Sequence, residues 1–285
     1  MKEALQGSDT AMLFSHILVL MRGGGDLATG VAVRLVRAGF PLVITELEHP
    51  LAVRRAVALS SAVQLGEVEV EGLRAVRTKS ADEAPTLAAT GVVPVLVDPE
   101  GESIQKLRPH VLIDARMKKG QTDTSKDAAP LVVGLGPGFD AGINCHAAIE
   151  TNRGHCLGRV YWLGKTEGNT GRPDVVLGVD YPRVLRAPRA GVVIIHAEIG
   201  DAIIAGQVVA TVDGEAVRAP FAGALRGIIA DATVVPAGQK IGDLDPRGRR
   251  EYCLTVSDKS LAVGGGVLEA ILTWLNRAPR ADRSG

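Results

Sequence analysis

Short apolar runs alternate with helical patterns along the first half of the chain. Residues 16–21 form a continuous apolar run, as in parallel strands that are buried on both faces. Three glycines follow, and residues 26–38 then carry apolar side chains at helical spacing before Gly39, a typical helix end. A second apolar run, 42–44, closes on Glu46. The pattern predicts a strand, a glycine loop, a helix and a second strand.

The alternation continues toward residue 150. Residues 50–63 favour a helix, and three further apolar runs favour strands, at 94–97, 111–113 and 131–135. Alternating strands and helices are typical of an α/β fold with a parallel sheet, so we predict a Rossmann-like domain over residues 14–150. Ligands of such sheets bind at the carboxyl ends of the strands, where the loops Gly23–Gly25 and Gly136–Gly138 both fall.

The region after residue 183 has short β-prone runs and an internal repeat. APRAG at 187–191 is echoed by APFAG at 219–223, and the Gly-Gln pair at 206–207 by the pair at 238–239. In both matches the second copy follows the first at the same separation in sequence. This repeat predicts a small all-β domain at 183–250 with approximate two-fold symmetry. We expect residues 251–277 to form a strand and a helix, the helix over 267–275, that pack back on the first domain.

This β region resembles the barrel-sandwich hybrid of biotinyl and lipoyl carriers. Those carriers hold an acceptor lysine on the hairpin between their halves, which here is 212–217. No lysine lies between Lys165 and Lys240, so a swinging arm is excluded there. The region is expected to provide packing, a lid or a docking surface.

Charge and cysteine usage narrow the class of protein. Lys plus Arg and Asp plus Glu both total 32, and the net charge is +0, which argues against nucleic-acid binding. Three cysteines without a dense framework fit a reducing compartment. The run 14–21 is too short to span a bilayer, so a cytoplasmic protein without membrane contact is expected.

The first glycine loop carries the clearest ligand signal. Gly23, Gly25 and Ala28 fit G-x-G-x-x-A between a strand and a helix, and free N–H groups at a helix start suit a phosphate. Glu46 ends the second strand, where an acid can bind a ribose hydroxyl. A tight turn without a ligand is the alternative. The predicted ligand-binding residues around this loop are Arg22, Gly23, Gly24, Gly25, Asp26, Leu27 and Glu46.

Asp26 complicates a standard dinucleotide pose. Its carboxylate can cap the helix, and it would repel a pyrophosphate unless Arg22 or a metal offset its charge.

Other polar groups follow the later strands. Gly136, Gly138, Asp114 and Arg116 are candidates for the same crevice, because each comes just after a predicted strand. For the second glycine loop a plain connector is an equal alternative, and Lys118 is interpreted as part of a solvated turn.

A cluster of His, Cys and Glu lies between residues 145 and 156. Zinc is one interpretation, but adjacent Cys and His side chains diverge on a helix, and no metal site is assigned. His146 and Glu150 are four apart and would share a helix face, where an anion pocket, a proton relay or a simple polar network are all open. The catalytic candidates are His146, Glu150, Arg153 and His155.

Several motifs together resemble one family. They lie at residues 22–30, 134–139, 150–155, 240–247, 257–259 and 264–269. They resemble the YqeB-type accessory proteins of selenium-dependent molybdenum hydroxylase systems, which are related in role to the XdhC-type chaperones of xanthine dehydrogenase. The resemblance implies a role in maturing a molybdenum hydroxylase, by handling its cofactor or selenium ligand. Cys145 departs from the variable or acidic residue expected there, which weakens a catalytic role for it.

The expected ligand is a nucleotide, either a molybdopterin dinucleotide or a nicotinamide or adenine nucleotide. The expected partner is the hydroxylase apo-enzyme subunit, and a homodimer is compatible with the sequence. An NAD-dependent oxidoreductase is the first alternative, with His146 and Glu150 as its acid–base pair. A non-catalytic interaction scaffold is the second. The far wall of the crevice is expected to contain Asp114, Arg116, His146, Glu150, Arg153 and His155.

Overall fold

A computed structural model describes residues 12–118, 120, 122–168 and 183–277. Most strands of its first part join one large sheet, and β8 and β11 form a separate ribbon. These strands are Val19–Arg22 (β1), Leu42–Glu46 (β2), Glu67–Val70 (β3), Leu73–Thr78 (β4), Val93–Val97 (β5), Val111–Asp114 (β6), Leu131–Leu135 (β7), Asp140–Ala141 (β8), Ala147–Ile149 (β9), Val160–Tyr161 (β10) and Gly164–Lys165 (β11).

The large sheet has nine strands in the order β10-β9-β7-β6-β1-β2-β5-β4-β3. The strands from β9 to β4 pair in parallel, and β10 and β3 add antiparallel edges. Every residue of β1 is buried, because helices and loops cover both faces. The predicted α/β class with a parallel sheet is confirmed, and β10 extends the sheet beyond residue 150.

The helices surround this sheet. They are Asp26–Arg37 (α1), Ala62–Leu65 (α2), Ala84–Ala88 (α3), Ser103–Leu107 (α4), Glu251–Leu254 (α5) and Asp258–Arg277 (α6). The expected helix 26–38 is confirmed by α1. In the part of the chain that the structure describes, no helix combines the length and apolarity needed to cross a bilayer.

The predicted helix at 50–63 is wrong. Two short 3-10 turns, Arg55–Val57 and Leu59–Ser61, lie in the second half of this segment. The Leu59 N–H donates to Thr29 Oγ1 and the Ser60 N–H to the Gly24 carbonyl, at 3.0 and 2.9 Å. Tertiary acceptors therefore replace the carbonyls that a continuous helix would use.

The glycine run at 264–266 lies inside α6, not before it. α6 packs against α1, and a Cβ at Gly264 would lie 2.5 Å from the Gly30 carbonyl oxygen. A Cβ at Gly30 would lie 2.3 Å from the Ser260 carbonyl oxygen. Glycine is therefore required for the close approach of the two helices. Residues 251–277 hold α5 and α6, so the strand expected there is absent from this segment.

The region from residue 183 to 245 forms two four-stranded antiparallel sheets, which we call the β module. Its strands are Val184–Arg186 (β12), Gly191–Ile195 (β13), Ala202–Ile203 (β14), Val208–Val212 (β15), Glu215–Arg218 (β16), Gly223–Ile228 (β17), Val234–Val235 (β18) and Lys240–Asp245 (β19). The sheet orders are β12-β19-β17-β14 and β16-β15-β13-β18. Aliphatic residues of both sheets form a core separate from that of the large sheet.

The sequence repeat corresponds to a reciprocal set of hydrogen bonds. The Gly206 N–H donates to the Ala219 carbonyl, and the Gly238 N–H donates to the Ala187 carbonyl, both at 2.8 Å. In the same way the Arg218 side chain donates to the Gly206 carbonyl at 3.0 Å, and that of Arg186 to the Gly238 carbonyl at 2.9 Å. Equivalent hydrogen bonds therefore join the two halves in both directions, as expected of the predicted two-fold symmetry.

The glycine interface predicts opposite effects of neighbouring Gly→Ala changes. Gly264→Ala forces a methyl group onto the Gly30 carbonyl, so we expect the free energy of unfolding to fall by about 1–3 kcal/mol. Gly265→Ala meets no atom within 4 Å and should raise it by about 0.5–1 kcal/mol, because alanine loses less backbone entropy. Urea unfolding measures both. Equal destabilisation by the two changes would contradict the packing role of Gly264.

Candidate functional site

A crevice of about 640 Å³ opens at the carboxyl ends of the central strands β1, β2 and β6. The first glycine loop and the start of α1 form one side of it, and the segment after β6 forms another. Its lining residues are Gly23, Gly25, Asp26, Leu27, Ala28, Glu46, Leu47, Leu51, Ala52, Pro99, Glu100, Ala115, Arg116, Met117, Lys118 and Asp123. Lys118, interpreted as part of a solvated turn, borders this crevice.

Some backbone N–H groups of the glycine loop donate hydrogen bonds to protein acceptors, and others do not. The Gly23 N–H donates to the Thr45 carbonyl at 2.8 Å, and the Gly24 N–H to Glu46 Oε1 at 2.7 Å. Within the described ranges, the N–H groups of Gly25, Asp26 and Leu27 have no acceptor. These three amides, with the positive end of the α1 dipole, form a suitable place for a negatively charged group.

Gly23 is required by the shape of the loop. Its φ is +94°, and a Cβ there would lie 3.1 Å from the Arg116 backbone. Gly25 has an ordinary extended backbone, and a Cβ there would meet nothing within 4 Å. The loop is therefore fixed at Gly23 and open at Gly25.

Glu46 supports the loop from the end of β2. Its two carboxylate oxygens accept the N–H groups of Gly24 and Leu47, at 2.7 and 2.8 Å. Burial raises the pKa of Glu46 above its ordinary value, and these two hydrogen bonds offset only part of that effect. Each carboxylate oxygen has a second lone pair, so Glu46 can still accept a hydrogen bond from a ligand hydroxyl.

Asp26 is neutralised by a residue that the sequence did not point to. Its carboxylate accepts two hydrogen bonds of 2.9 Å from Arg54 and one of 2.9 Å from the Ser260 hydroxyl. It makes no cap to the start of α1. Arg22, the expected neutralising residue, is buried and faces Thr124 instead, at 3.4 Å. Arg54 lay in a predicted helix, and no local signal linked it to Asp26.

Asp114 lies behind the crevice and holds Arg116 at its wall. The Asp114 carboxylate accepts hydrogen bonds of 2.6 Å from both Arg116 and Thr124. Burial by itself would raise the pKa of Asp114, but these hydrogen bonds outweigh burial and hold it below its ordinary value. Arg116 also pairs with Asp123, which lies at the crevice. Asp114 is a positioning residue, since it is almost wholly buried.

An apolar surface adjoins the loop. Leu47, Leu51 and Met117 are 45%, 47% and 41% exposed, and all three line the crevice. Large apolar side chains that are exposed together in one concave site are typical of a ligand-binding surface, and a flat ring could cover them and exclude water.

The second glycine loop does not line this crevice. A Cβ at Gly134 would overlap the Phe139 ring, 2.0 Å from its nearest atom, and a Cβ at Gly136 would lie 2.4 Å from Thr151 Oγ1. Gly138 also has a positive φ, and a Cβ there would lie 3.0 Å from the Gly120 carbonyl oxygen. These glycines allow the chain to fold back on itself, so tight packing accounts for them.

The four catalytic candidates are not brought together. The expected helix at 146–150 is wrong, because β9 occupies this segment. His146 Nδ1 accepts the Val132 N–H at 3.0 Å and lies in a different cavity. Glu150 is fully buried and accepts the N–H groups of Asn152 and Glu167. Arg153 pairs with Asp258, and His155 is exposed.

The cysteine and histidine cluster shows no arrangement for metal binding. Burial raises the pKa of the Cys145 thiol to about 12, so the thiolate that metals and nucleophilic catalysis require is disfavoured. Across the described ranges, no group of three or more His, Cys, Asp or Glu side chains is placed to hold a metal ion.

Comparisons with known proteins agree with the motif resemblance. No protein-family profile matches the chain. Over 268 residues, which are 94% of this chain and 50% of the relative, it is 43% identical to the uncharacterized protein YqeB of Escherichia coli K12. The chain thus spans about half the length of that curated relative. An aspartoacylase family protein of Mesorhizobium loti is 9% identical with a TM-score of 0.24, over 80% of this chain and 84% of that one. The similarity supports the YqeB name in the resemblance that the motifs indicated, and the hydroxylase role that the resemblance implies stays a prediction.

Proposed function

We propose that this chain binds a nucleotide-type ligand in the glycine-loop crevice and serves as an accessory factor in the maturation of a selenium-dependent molybdenum hydroxylase. One observation carries the binding proposal: the unused amides of Gly25, Asp26 and Leu27 open into a crevice that also has an apolar surface. A phosphate would bind these amides, and a base or pterin ring would contact Leu47, Leu51 and Met117.

The sheet supports a Rossmann-like assignment. β1 is the first strand, and the next strand in sequence, β2, lies on one side of it while β6 lies on the other. The chain places β2 to β5 on one side of β1 and then crosses to β6 on the other side, so the strand order reverses at β1. Ligands of open α/β sheets bind at such a switch point. The crevice lies at this point.

The ligand class follows from the chemistry of the crevice. Molybdopterin dinucleotide, nicotinamide and adenine nucleotides share a diphosphate or phosphate, a ribose and a flat ring. Glu46 can accept a hydrogen bond from a ribose hydroxyl, and its charge disfavours a 2′-phosphate. Arg54 offsets Asp26, so this acid is less repulsive toward a phosphate than an unpaired carboxylate would be.

The accessory role is supported by the YqeB-type resemblance and by the β module. Its two antiparallel sheets and reciprocal halves favour a barrel-sandwich hybrid. The hairpin between β15 and β16 has no lysine, which favours a docking or packing role over a carrier role. We infer that the partner is a hydroxylase apo-enzyme subunit.

The NAD-dependent alternative lacks its acid–base pair at the crevice. Neither His146 nor Glu150 lines it, and both accept backbone hydrogen bonds elsewhere. An accessory factor that binds a ligand therefore fits the geometry better than a dehydrogenase does.

A charge placed at Gly25 should abolish ligand binding without harming the fold. Gly25→Asp meets no steric contact, and aspartate is favoured at a helix N-cap, so its stability should match the wild type or exceed it by a few tenths of a kcal/mol. The carboxylate would occupy the amides and repel a phosphate, weakening binding by about tenfold or more. Calorimetry with a panel of NAD, AMP, ATP and a molybdopterin dinucleotide measures this.

Gly25→Ala is the matched control. It adds a methyl group that meets no protein atom and carries no charge, so ligand affinity should fall less than in Gly25→Asp. Failure of every nucleotide in the panel to bind the wild-type protein would overturn the binding proposal.

The affinity for the nucleotide should depend on pH through Glu46. Both oxygens of its carboxylate already accept loop amides, and protonation would remove the charge and part of the remaining acceptor capacity. Affinity is therefore full above the Glu46 pKa and falls as the pH drops through it. Because that pKa is raised, the loss begins at a higher pH than for an exposed glutamate. Glu46→Gln should bind about tenfold more weakly near neutrality and show a flat profile. Calorimetry from about pH 8 to about pH 5 tests this; parallel profiles for the two proteins would contradict it.

The accessory role needs a separate test in the host. Deleting the gene should lower the activity of the molybdenum hydroxylase, and the wild-type gene should restore it. Gly25→Asp should fail to restore it if ligand binding is required. Full rescue by Gly25→Asp would favour the interaction scaffold instead.

A further inference from the structure

A second cavity, of about 540 Å³, lies where the β module meets the first part of the chain. We call it the junction cavity. It is lined by Asp26, Leu27, Ala52, Val53, Arg54, Arg153, Arg183, Arg226, Lys240, Asp243, Arg247, Ser257, Asp258 and Lys259. Among these described residues seven are Arg or Lys and three are Asp, so the lining is strongly positive.

One buried carboxylate behind the cavity forms ion pairs with two of these cations. Asp245, which is almost fully buried, accepts a hydrogen bond of 2.5 Å from Arg247 and one of 3.3 Å from Arg226. A single negative charge cannot neutralise two guanidinium groups. With Asp245 counted and Lys259 left out, the positive charges of the described residues around the cavity still exceed the negative ones by two.

Asp243 is shared in the same way. It accepts hydrogen bonds from Arg183 at 3.2 and 3.0 Å, while the Lys240 ammonium lies 4.0 Å from it. Lys240 therefore has only a long contact with a carboxylate that is already engaged.

Arg54 and Arg226 have lost most of their contact with water without gaining full compensation. Burial lowers the pKa of both Lys240 and Arg226 below their ordinary values, and neighbouring arginines add to this effect. The Nε groups of Arg54 and Arg226 are buried and have no hydrogen-bond partner in the described part of the chain. Such an environment favours the entry of a compensating anion.

We propose that the junction cavity is a binding site for a small anion that carries two or more linked phosphate groups. The planar fork of a guanidinium matches phosphate geometry, and several guanidinium groups converge here with the ammonium groups of Lys240 and Lys259. The excess of two positive charges, counted without Lys259, suits a di- or triphosphate better than a single carboxylate. Ser257 contributes a hydroxyl at the wall.

This site is separate from the glycine-loop crevice, although the two adjoin. Asp26, Leu27 and Ala52 border both cavities, whereas Lys240, Arg226 and Arg247 line only the junction cavity. The crevice offers backbone amides and an apolar surface, and the junction cavity offers charged side chains. The proposal therefore does not depend on the nucleotide proposal.

The test uses the whole chain and tripolyphosphate as the probe. Lys240→Met removes one charge and leaves the Arg183–Asp243 pair in place, so the fold should persist. We expect tripolyphosphate affinity in calorimetry to fall by about tenfold or more, the loss of one charged contact. The matched control is Lys106→Met, because Lys106 pairs with Asp82 on the exposed surface and lies outside the cavity. That variant should bind as the wild type does.

Measurements with both probes keep the outcome decisive. Gly25→Asp should retain tripolyphosphate binding, and Lys240→Met should retain binding of AMP, which has a single phosphate group. Loss of tripolyphosphate binding in Gly25→Asp with retention in Lys240→Met would overturn the proposal, because the probe would then occupy the glycine loop. Equal weakening by Lys240→Met and Lys106→Met, or no binding to the wild type, would overturn it too. If Lys240→Met proves unstable in urea unfolding, Arg247→Met serves as the second test, with the same expected loss.

Discussion

The ion pair between Arg54 and Asp26 joins the parts of this molecule that matter for ligand binding. Arg54 donates two hydrogen bonds to Asp26 and one each to the carbonyls of Tyr252 and Thr255, all of 2.9 to 3.0 Å. It thus connects the start of α1, the 3-10 turns and the end of α5. Arg54 is almost fully buried, so losing its partner would leave an uncompensated charge, which costs about 3–5 kcal/mol in buried pairs. This contact lies where the two cavities adjoin, because Asp26 borders each of them.

The sequence predicted the elements whose signal lies within one short segment of the chain. β1, β2, β6, β7 and α1 follow from continuous apolar runs and helical spacing, because burial of these segments leaves few alternatives. The glycine loop and Glu46 also followed, since strand, loop and acid lie close together in the chain. The predicted helix at 146–150 failed because a spacing of four between His146 and Glu150 arose by coincidence in a strand.

Residues that lie far apart in sequence were out of reach. Arg54 meets Asp26 across 28 positions and Tyr252 across 198, and no pattern within a short window encodes such pairs. Lys240 was visible as part of a motif, but its position facing Arg183 and Asp26 depends on how the β module docks. The 34 glycines were interpreted through turns and ligand approach, whereas Gly30 and Gly264 serve the contact of two helices.

The reciprocal hydrogen bonding within the β module has a consequence for its origin. β12 pairs with β19 and β14 pairs with β17, so the first half of the module completes its sheets only with strands of the second half. A chain with a single half would expose unpaired strand edges and an open core, and both features promote self-association. Two separate copies of the 32-residue unit could complete each other's sheets in the same way, so the arrangement is compatible with an origin by duplication of a self-pairing unit.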